Sequence, residues 1–325
     1  MEGVVDVHMR KLLSAIGGID VCVTEFVRVT DHILPDKVLY RRCPELKNQS
    51  RTTSGIPVRL QLLGGKPEPV AANGRQAALL GASAIDLNFG CPAKTVNKSD
   101  GGACLLKEPE RLHDIVAATR KHVPASTPVS AKIRLGFEDR RRYLDNALAA
   151  YEGGADELTV HARSKADGYR PPAYWDCIAD IREAIPIPVI ANGEIWSVSD
   201  FQRCRSVTGC TDFMIGRGLL SCPDLAKQIK SAEQHCHIQA MPWSELQLLL
   251  LHFFESTADA YPAKYTGNRL KQWLHYLCRQ YPEAKLLFEQ IKRCRDRETI
   301  SHALKQRIQG HQQGLKSDSS AALSV

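Results

Sequence analysis

The chain has 325 residues, of which 43% are hydrophobic and 24% charged, and it carries a formal net charge of +7. These proportions are ordinary for a globular protein, and the length allows one large α/β domain with a small appendage. There is no apolar run of about 18 residues and no basic segment leading into an apolar one, which argues against a membrane span or a secretory leader. The eleven cysteines are scattered without paired spacing, which predicts reduced thiols in a cytosol rather than a disulfide framework or a zinc site.

Short apolar runs alternate with helix-length segments along the first two thirds of the chain, which predicts βα units and a parallel sheet. We predict seven strands, at residues 21–25, 58–62, 84–88, 129–133, 157–161, 187–191 and 212–215. Helices are predicted between most of them, for example at 111–122, 141–152 and 175–184. A TIM (β/α)₈ barrel needs eight strands, and the chain opens on a segment typical of the loop after a first strand. We therefore predict a TIM barrel whose first strand is missing or truncated.

The character of the sequence changes after the last predicted strand. A polar linker at 231–240 precedes amphipathic patterns at 244–258, 265–279, 283–293 and 296–309. We therefore predict a barrel domain over 1–230, a small C-terminal helical bundle over 241–310, and a disordered tail over 311–325. Residues 242–310 carry eleven Lys and Arg against seven Asp and Glu. This balance permits a polyanionic partner without requiring one.

The third predicted strand ends in a distinctive turn. Asn88 closes the strand, and Phe89-Gly90-Cys91-Pro92 follows it. Gly90 permits a sharp turn and Pro92 restricts the exit direction, so we expect Cys91 to face outward at the strand's carboxyl end. A single cysteine is more often a small core hydrophobe. On such a turn, however, it is better placed for proton or thiolate chemistry.

Polar residues close five consecutive predicted strands. These residues are Gln61, Asn88, Lys132, His161 and Asn192. Each alone could be a solvated strand end or a satisfied core residue. Together they are unexpected in a barrel, because barrel interiors favour Val, Ile and Leu. They therefore predict a functional site at the carboxyl edge of the sheet.

The last two predicted strands lead into glycine-containing loops, Asn192-Gly193-Glu194 and Gly216-Arg217-Gly218. In barrels these loops commonly bind a phosphate through backbone amides. This pattern favours a flavin, with Lys132 near the N1/O2 edge of its ring, where positive charge stabilises the anionic reduced form.

Two further side chains and the cysteine complete this expectation. Gln61 and Asn88 would hydrogen-bond the polar edges of the flavin ring. Cys91 would act as a general acid, since a thiol with a pKa of about 8.5 is mostly protonated at neutral pH.

Five segments together resemble the tRNA-dihydrouridine synthases. They are Leu-Asn-Phe-Gly-Cys-Pro at 87–92, Lys-Ile-Arg at 132–134, Val-His-Ala-Arg at 160–163, Ala-Asn-Gly at 191–193 and Ile-Gly-Arg-Gly at 215–218. The resemblance extends to about residue 305. The segments 24–29, 192–196 (Asn-Gly-Glu where relatives usually carry Asn-Gly-Asp) and 269–273 resemble the branch that reduces uridine 16 in the tRNA D-loop.

The resemblance implies that reduced FMN, recharged by NADPH or NADH, delivers a hydride to uracil C6 while Cys91 protonates C5. The target base must leave the RNA stack. Implied cofactor contacts are Met1, Glu2, Gln61, Lys132, His161, Asn192, Gly193, Glu194, Gly216 and Arg217. Implied contacts with tRNA are Arg28, Asn88, Arg134, Arg269, Lys271 and Lys292. The resemblance also implies a cytoplasmic monomer without a metal ion.

One departure concerns the N-terminus. Relatives carry a first strand ending in Pro-Met before Glu-Gly-Val, whereas Met1 opens this chain, so we expect a truncated or misassigned start. Two alternatives stay open: a flavoenzyme acting on a free pyrimidine, as in dihydroorotate dehydrogenases, and a tRNA-binding protein without catalysis. The basic helical appendage argues against the first, because a free pyrimidine needs no such surface.

Overall fold

The structure is a computed structural model that describes residues 2–236 and 238–321. The chain forms two compact units. Unit 1 comprises residues 1–14 and 19–216, and unit 2 comprises residues 15–18 and 217–325.

Unit 1 is built on a parallel sheet. Its strands are β1 (Cys22–Val23), β2 (Val27–Arg28), β3 (Val58–Leu63), β4 (Ile85–Asn88), β5 (Val129–Arg134), β6 (Glu157–His161), β7 (Val189–Asn192) and β8 (Asp212–Met214). The strand order is β1-β3-β4-β5-β6-β7-β8, and β2 also pairs with β3. The sheet is thus TIM-like, and no pairing between described residues joins β8 to β1. The seven predicted strands are confirmed, with the first reduced to the two residues of β1, and β2 is an additional short strand outside every predicted range.

Helices connect and cover these strands. They are α1 (Val7–Ile16), α2 (Asp36–Arg42), α3 (Pro67–Leu79), α4 (Lys94–Lys98), α5 (Pro109–His122), α6 (Tyr143–Glu152), α7 (Asp176–Ala184) and α8 (Val198–Thr208), with 3₁₀ turns at Pro44–Asn48 and Gly102–Lys107. The strands β3 to β6 are almost continuously buried. This is expected for parallel strands that are covered on both faces.

Unit 2 is helical. It contains α9 (Arg217–Ser221), α10 (Leu225–Glu233), α11 (Trp243–Ala260), a 3₁₀ turn at Ala263–Tyr265, α12 (Asn268–Leu277), α13 (Pro282–Ile291) and α14 (Arg297–Ala321). The predicted helical bundle is therefore present. None of the helices in the described part of the chain is long and apolar enough to cross a membrane.

The second unit begins earlier than the boundary predicted after residue 230. Trp273 Nε1 on α12 donates to the carbonyl of Leu220 on α9 at 3.1 Å. Met241 N donates to Asp224 Oδ2, at the start of α10, at 2.9 Å. These bonds tie α9 and α10 to the later helices, so both belong to unit 2.

Helix α14 continues to Ala321, and residues 322–325 lie outside the described residues. The disorder expected for 311–325 stays a prediction.

Candidate active site

A chain of side-chain hydrogen bonds joins the carboxyl ends of β3 and β4. Asn88 Nδ2 donates to Gln61 Oε1 at 2.7 Å, and Gln61 Nε2 donates to Asp86 Oδ2 at 2.6 Å. Ser130 Oγ donates to the other oxygen of Asp86 at 2.7 Å. Asp86 is buried, which raises the pKa of its carboxyl. The network fixes the orientation of both amides, and it agrees with the two-residue spacing that places Asp86 and Asn88 on one side of β4.

A second contact joins β5 to β7. Lys132 Nζ donates to Asn192 Oδ1 at 2.9 Å, and Asn192 Nδ2 donates to the carbonyl of Met214 at 2.6 Å. Burial, and then the nearby Arg134 guanidinium, lower the pKa of Lys132 to about 8. The amine is therefore still mostly protonated at neutral pH. An ammonium has three donors, so two remain beyond the bond to Asn192 for an electron-rich ligand.

Cys91 lies in the loop between β4 and α4 and is half-buried. It packs against a small hydrophobic cluster of Phe26, Leu63 and Val96. Burial raises the pKa of the Cys91 thiol. The sulfur therefore carries its proton at neutral pH, which suits a general acid and does not suit a thiolate nucleophile.

Two residues that the sequence analysis did not single out hold Cys91 in place. Asn97 Nδ2 donates to the carbonyls of both Cys91, at 3.0 Å, and Ala93, at 2.7 Å. Gly102 has a φ of +68°, and a Cβ there would lie 3.0 Å from the Cβ of Cys91 and 2.9 Å from its carbonyl oxygen. A larger residue at position 102 would displace the cysteine. The Gly101-Gly102 pair, close in sequence to Cys91, was the available signal.

Arg134 braces the loop that precedes Cys91. Its Nε donates to the carbonyl of Gly90 at 2.8 Å, and its Nη1 donates to the carbonyls of Ser164, at 3.1 Å, and Gly168, at 3.0 Å. The side chain is buried, and burial lowers the pKa of its guanidinium. In this structure Arg134 positions two loops, in addition to any contact with RNA.

Tyr169 is a site residue that the sequence analysis missed. It is 52% exposed. Its ring lies 5.2 Å from the Arg134 guanidinium and 6.1 Å from the His161 ring. An aromatic residue in the polar loop after β6 was the only local signal.

The loop after β7 is held by a buried arginine. Arg163 is fully buried and pairs with Glu194 at 3.1 Å. Its Nε also donates to the carbonyl of Arg170 at 2.6 Å. Gly193 adopts a φ of +120°, and a Cβ there would lie 3.4 Å from the ring of His161. The predicted residues His161, Gly193 and Glu194 are thus brought together.

The other predicted residues of unit 1 are placed less tightly. Glu2 is exposed, and its charge acts on Cys91 and raises the pKa of the thiol. Arg28 is exposed, and its Nη2 donates to the carbonyl of Thr95 at 3.4 Å. Gly216 follows β8 and ends unit 1. Met1 lies outside the described residues.

Four predicted residues belong to unit 2. Arg217 begins α9. Arg269 donates to Gln272 on the same helix. Lys271 Nζ donates to the carbonyl of Cys294 at 2.5 Å, and burial lowers the pKa of this lysine. Lys292 is exposed and pairs with Glu289.

Comparison with known proteins identifies the family. The model of the family "Dihydrouridine synthase (Dus)" matches residues 1–313. The chain belongs to the dihydrouridine synthase family. It is 51% identical over 304 residues to the tRNA-dihydrouridine(16) synthase of Aquipseudomonas alcaligenes, covering 94% of this chain and 96% of the relative. It is 52% identical over 308 residues to that of Shewanella oneidensis, with the same coverage.

A solved structure supports the fold of this dihydrouridine synthase family member. Histamine dehydrogenase from Rhizobium sp. 4-9 aligns with a TM-score of 0.50 at 15% identity. The alignment covers 71% of this chain and 44% of the dehydrogenase chain. At this identity the likeness concerns the barrel architecture alone. Family membership makes the protein an oxidoreductase.

The side chains at the sheet edge fit a flavin. A flavin ring presents carbonyl oxygens and ring nitrogens at its edge, and these need hydrogen-bond donors and, in the reduced state, a nearby positive charge. Gln61 and Asn88 offer amides in fixed orientations, and Lys132 offers two further ammonium donors. Among the described residues, no group of three His, Cys, Asp or Glu side chains could hold a metal ion.

Proposed function

We propose that the protein reduces uridine 16 of tRNA to 5,6-dihydrouridine, with FMN as the flavin and NADPH or NADH as its reductant. The observation that carries the proposal is the position of a half-buried thiol, Cys91, in the loop that leaves β4 beside the strand edge that presents Lys132. The name of the relatives, tRNA-dihydrouridine(16) synthase, supports both the RNA substrate and the position.

We assign FMN binding to two groups of residues. Gln61, Lys132 and His161 are suited to the ring, since they supply donors and charge. Asn192, Gly193, Glu194, Gly216 and Arg217 are suited to the phosphate-bearing chain. By resemblance to the family, we assign the N-terminal residues Met1 and Glu2 to the ring. The buried Arg163 supports this assignment, because it pairs with Glu194 and so restrains the loop.

Saturation of the uracil C5–C6 double bond takes one hydride and one proton. When bound and reduced, a flavin held by Gln61 and Lys132 would supply the hydride. Cys91 gives its Sγ proton to C5, and its raised pKa keeps that proton in place until substrate arrives. The positive charge of Arg134 partly offsets the rise in the pKa of Cys91 that burial causes. It therefore favours the thiolate that remains after the proton is transferred. Because Cys91 is half-buried, solvent can return the proton between turnovers.

We assign tRNA contacts to residues of both units. Asn88 and Arg134 lie at the strand ends beside Cys91 and are suited to the everted base. Arg28 is suited to the RNA backbone, as are Arg269, Lys271 and Lys292 in unit 2.

We further propose that the protein acts as a monomer in the cytoplasm. All eleven cysteines are free, which supports a reducing compartment. The free-pyrimidine and non-catalytic alternatives are not favoured, because the similarity to tRNA-modifying relatives spans 94% of the chain.

The decisive experiment measures dihydrouridine at position 16 of tRNA treated with enzyme, flavin and NADPH. Cys91→Ala should slow formation by roughly 10²–10⁴-fold, the range for a lost general acid, while flavin binding persists. Cys177→Ala is the matched control, because Cys177 is also half-buried with a raised thiol pKa but lies on α7. Equal rates in both variants would remove Cys91 from the mechanism, and no dihydrouridine with wild-type enzyme would refute the proposed function.

A further inference from the structure

The short helix α4 carries positive charge close to Cys91. Its first residue, Lys94, follows Cys91 by three positions, and Lys98 lies four positions further on. Residues four apart share one face of a helix, so both ammonium groups project from the same face. Both residues are exposed.

Arg28, at the end of β2, adds a third cation beside this helix. Its Nη2 donates to the carbonyl of Thr95 at 3.4 Å, which ties the end of β2 to α4. We call Arg28, Lys94 and Lys98 the α4 patch.

Several exposed cations of unit 1 are paired with carboxylates, and the cations of the α4 patch are not among them. Lys107 pairs with Glu138 at 3.1 Å, and Arg142 pairs with Asp145 at 3.4 Å. Among the described residues, no carboxylate forms an ion pair with any of the three patch cations.

The acidic residue that follows Lys98 in the sequence, Asp100, already pairs with Arg111, whose hydrogen bond lowers the pKa of that carboxyl. Two like charges four residues apart destabilise a helix, so helix stability does not explain why α4 carries both Lys94 and Lys98.

We propose that the α4 patch binds backbone phosphates of the tRNA next to the reacting nucleotide. Phosphate oxygens are the complementary ligand, since Lys and Arg that bind RNA backbones replace condensed counterions. The position supports this choice, because α4 begins directly after the turn that carries Cys91. The inference rests on the proposed function and adds Lys94 and Lys98 to its RNA surface.

The test is the salt dependence of tRNA binding to the full-length protein. Lys94→Gln combined with Lys98→Gln should reduce the slope of log K against log salt by about 1.4 to 1.8, because each lost phosphate contact contributes roughly 0.7–0.9. Affinity at about 0.1 M salt should fall about tenfold, and KM for tRNA should rise more than kcat falls. Lys94→Arg with Lys98→Arg should keep the wild-type slope.

The matched control is Lys11→Gln with Lys121→Gln. These lysines are also exposed, and their replacement removes the same charge. Lys121 lies in the last turn of α5, and the C-terminal ends of barrel helices lie on the side opposite the carboxyl ends of the strands. The control should bind tRNA like wild type.

A wild-type salt slope in the Lys94/Lys98 variant, or an equal loss of slope in the control variant, would overturn the proposal that the α4 patch binds phosphates. Both results concern binding, so they are separable from a failure of the proposed function, which would be absence of dihydrouridine. If the double variant melts early, the single variants Lys94→Gln and Lys98→Gln give the same test with half the slope change.

Discussion

The two units each contain a lysine whose pKa is lowered by burial, and the two lysines have different partners. In unit 1, Lys132 donates to the side-chain amide of Asn192 at the edge of the sheet, with Arg134 nearby. In unit 2, Lys271 donates to the backbone carbonyl of Cys294, just beyond the end of α13. Unpaired carbonyls at a helix end carry partial negative charge, so Lys271 satisfies a local structural need.

The two lysines differ in what their hydrogen bonds connect. Both keep two further donors and have a like charge nearby, Arg134 for Lys132 and Arg295 for Lys271. The bond of Lys132 joins two polar side chains at the edge of the sheet, whereas the bond of Lys271 joins α12 to the turn after α13. We therefore expect substitution of Lys132 to affect chemistry, and substitution of Lys271 to affect the turn that carries Lys292.

The largest expected effect is that of Lys132→Met. It should slow dihydrouridine formation by about 10²-fold, the cost of removing one preorganised electrostatic contact, and weaken flavin binding. In the wild type the ammonium loses its proton as pH rises through about 8. Flavin binding to the wild-type apoprotein, followed between pH 6.5 and 9.5, should therefore weaken above that value, and Lys132→Met should be flat there. If flavin binding by Lys132→Met weakens in the same way at high pH, the weakening is due to the titration of another group.

Gly102→Ala should have an intermediate effect within unit 1. The new methyl would press on Cys91, and displacement of a proton donor by a fraction of an ångström should slow turnover about tenfold. Gly81→Ala is the control, since Gly81 also has a positive φ, +92°, but a Cβ there meets nothing within 4 Å. Kinetics with tRNA, together with the alkylation rate of Cys91, measure the displacement. Equal losses in both variants would indicate backbone strain alone.

Lys271→Met should have the smallest effect. Loss of its bond to Cys294 should cost about 1 kcal/mol of stability and lower the melting temperature by about 2–4 °C. The tRNA affinity should fall a few-fold, because the turn before α14 loosens, and flavin content should not change. Lys285→Met, an exposed lysine on α13, is the comparison. A loss of flavin in Lys271→Met would remove the distinction between the two lysines.

The sequence patterns predicted most of the sheet and the core of the site. Apolar runs bounded by turns predicted the strands. The polar residues at the carboxyl ends of these strands, Gln61, Asn88 and Lys132, predicted the site, because parallel strands bring their carboxyl ends to one edge of the sheet. The short strand β2 was missed, since two residues are too few to show an alternating pattern.

Residues that act through distant contacts were not predictable in this way. Tyr169 joins the site only because the loop after β6 brings it to Arg134 and His161. The boundary between the units was also missed, because Trp273 anchors α9 through a bond between residues 53 positions apart. No local pattern records such a pairing.

The sequence by itself determined the parallel sheet, the turn at Gly90-Cys91-Pro92 and the family, because side-chain periodicity, glycine and proline act over a few neighbouring residues. Only the tertiary structure decided the rise in the pKa of Cys91, the pKa of Lys132 near 8 and the partner of Lys271. Each of these depends on burial and on charges from segments far apart in the chain.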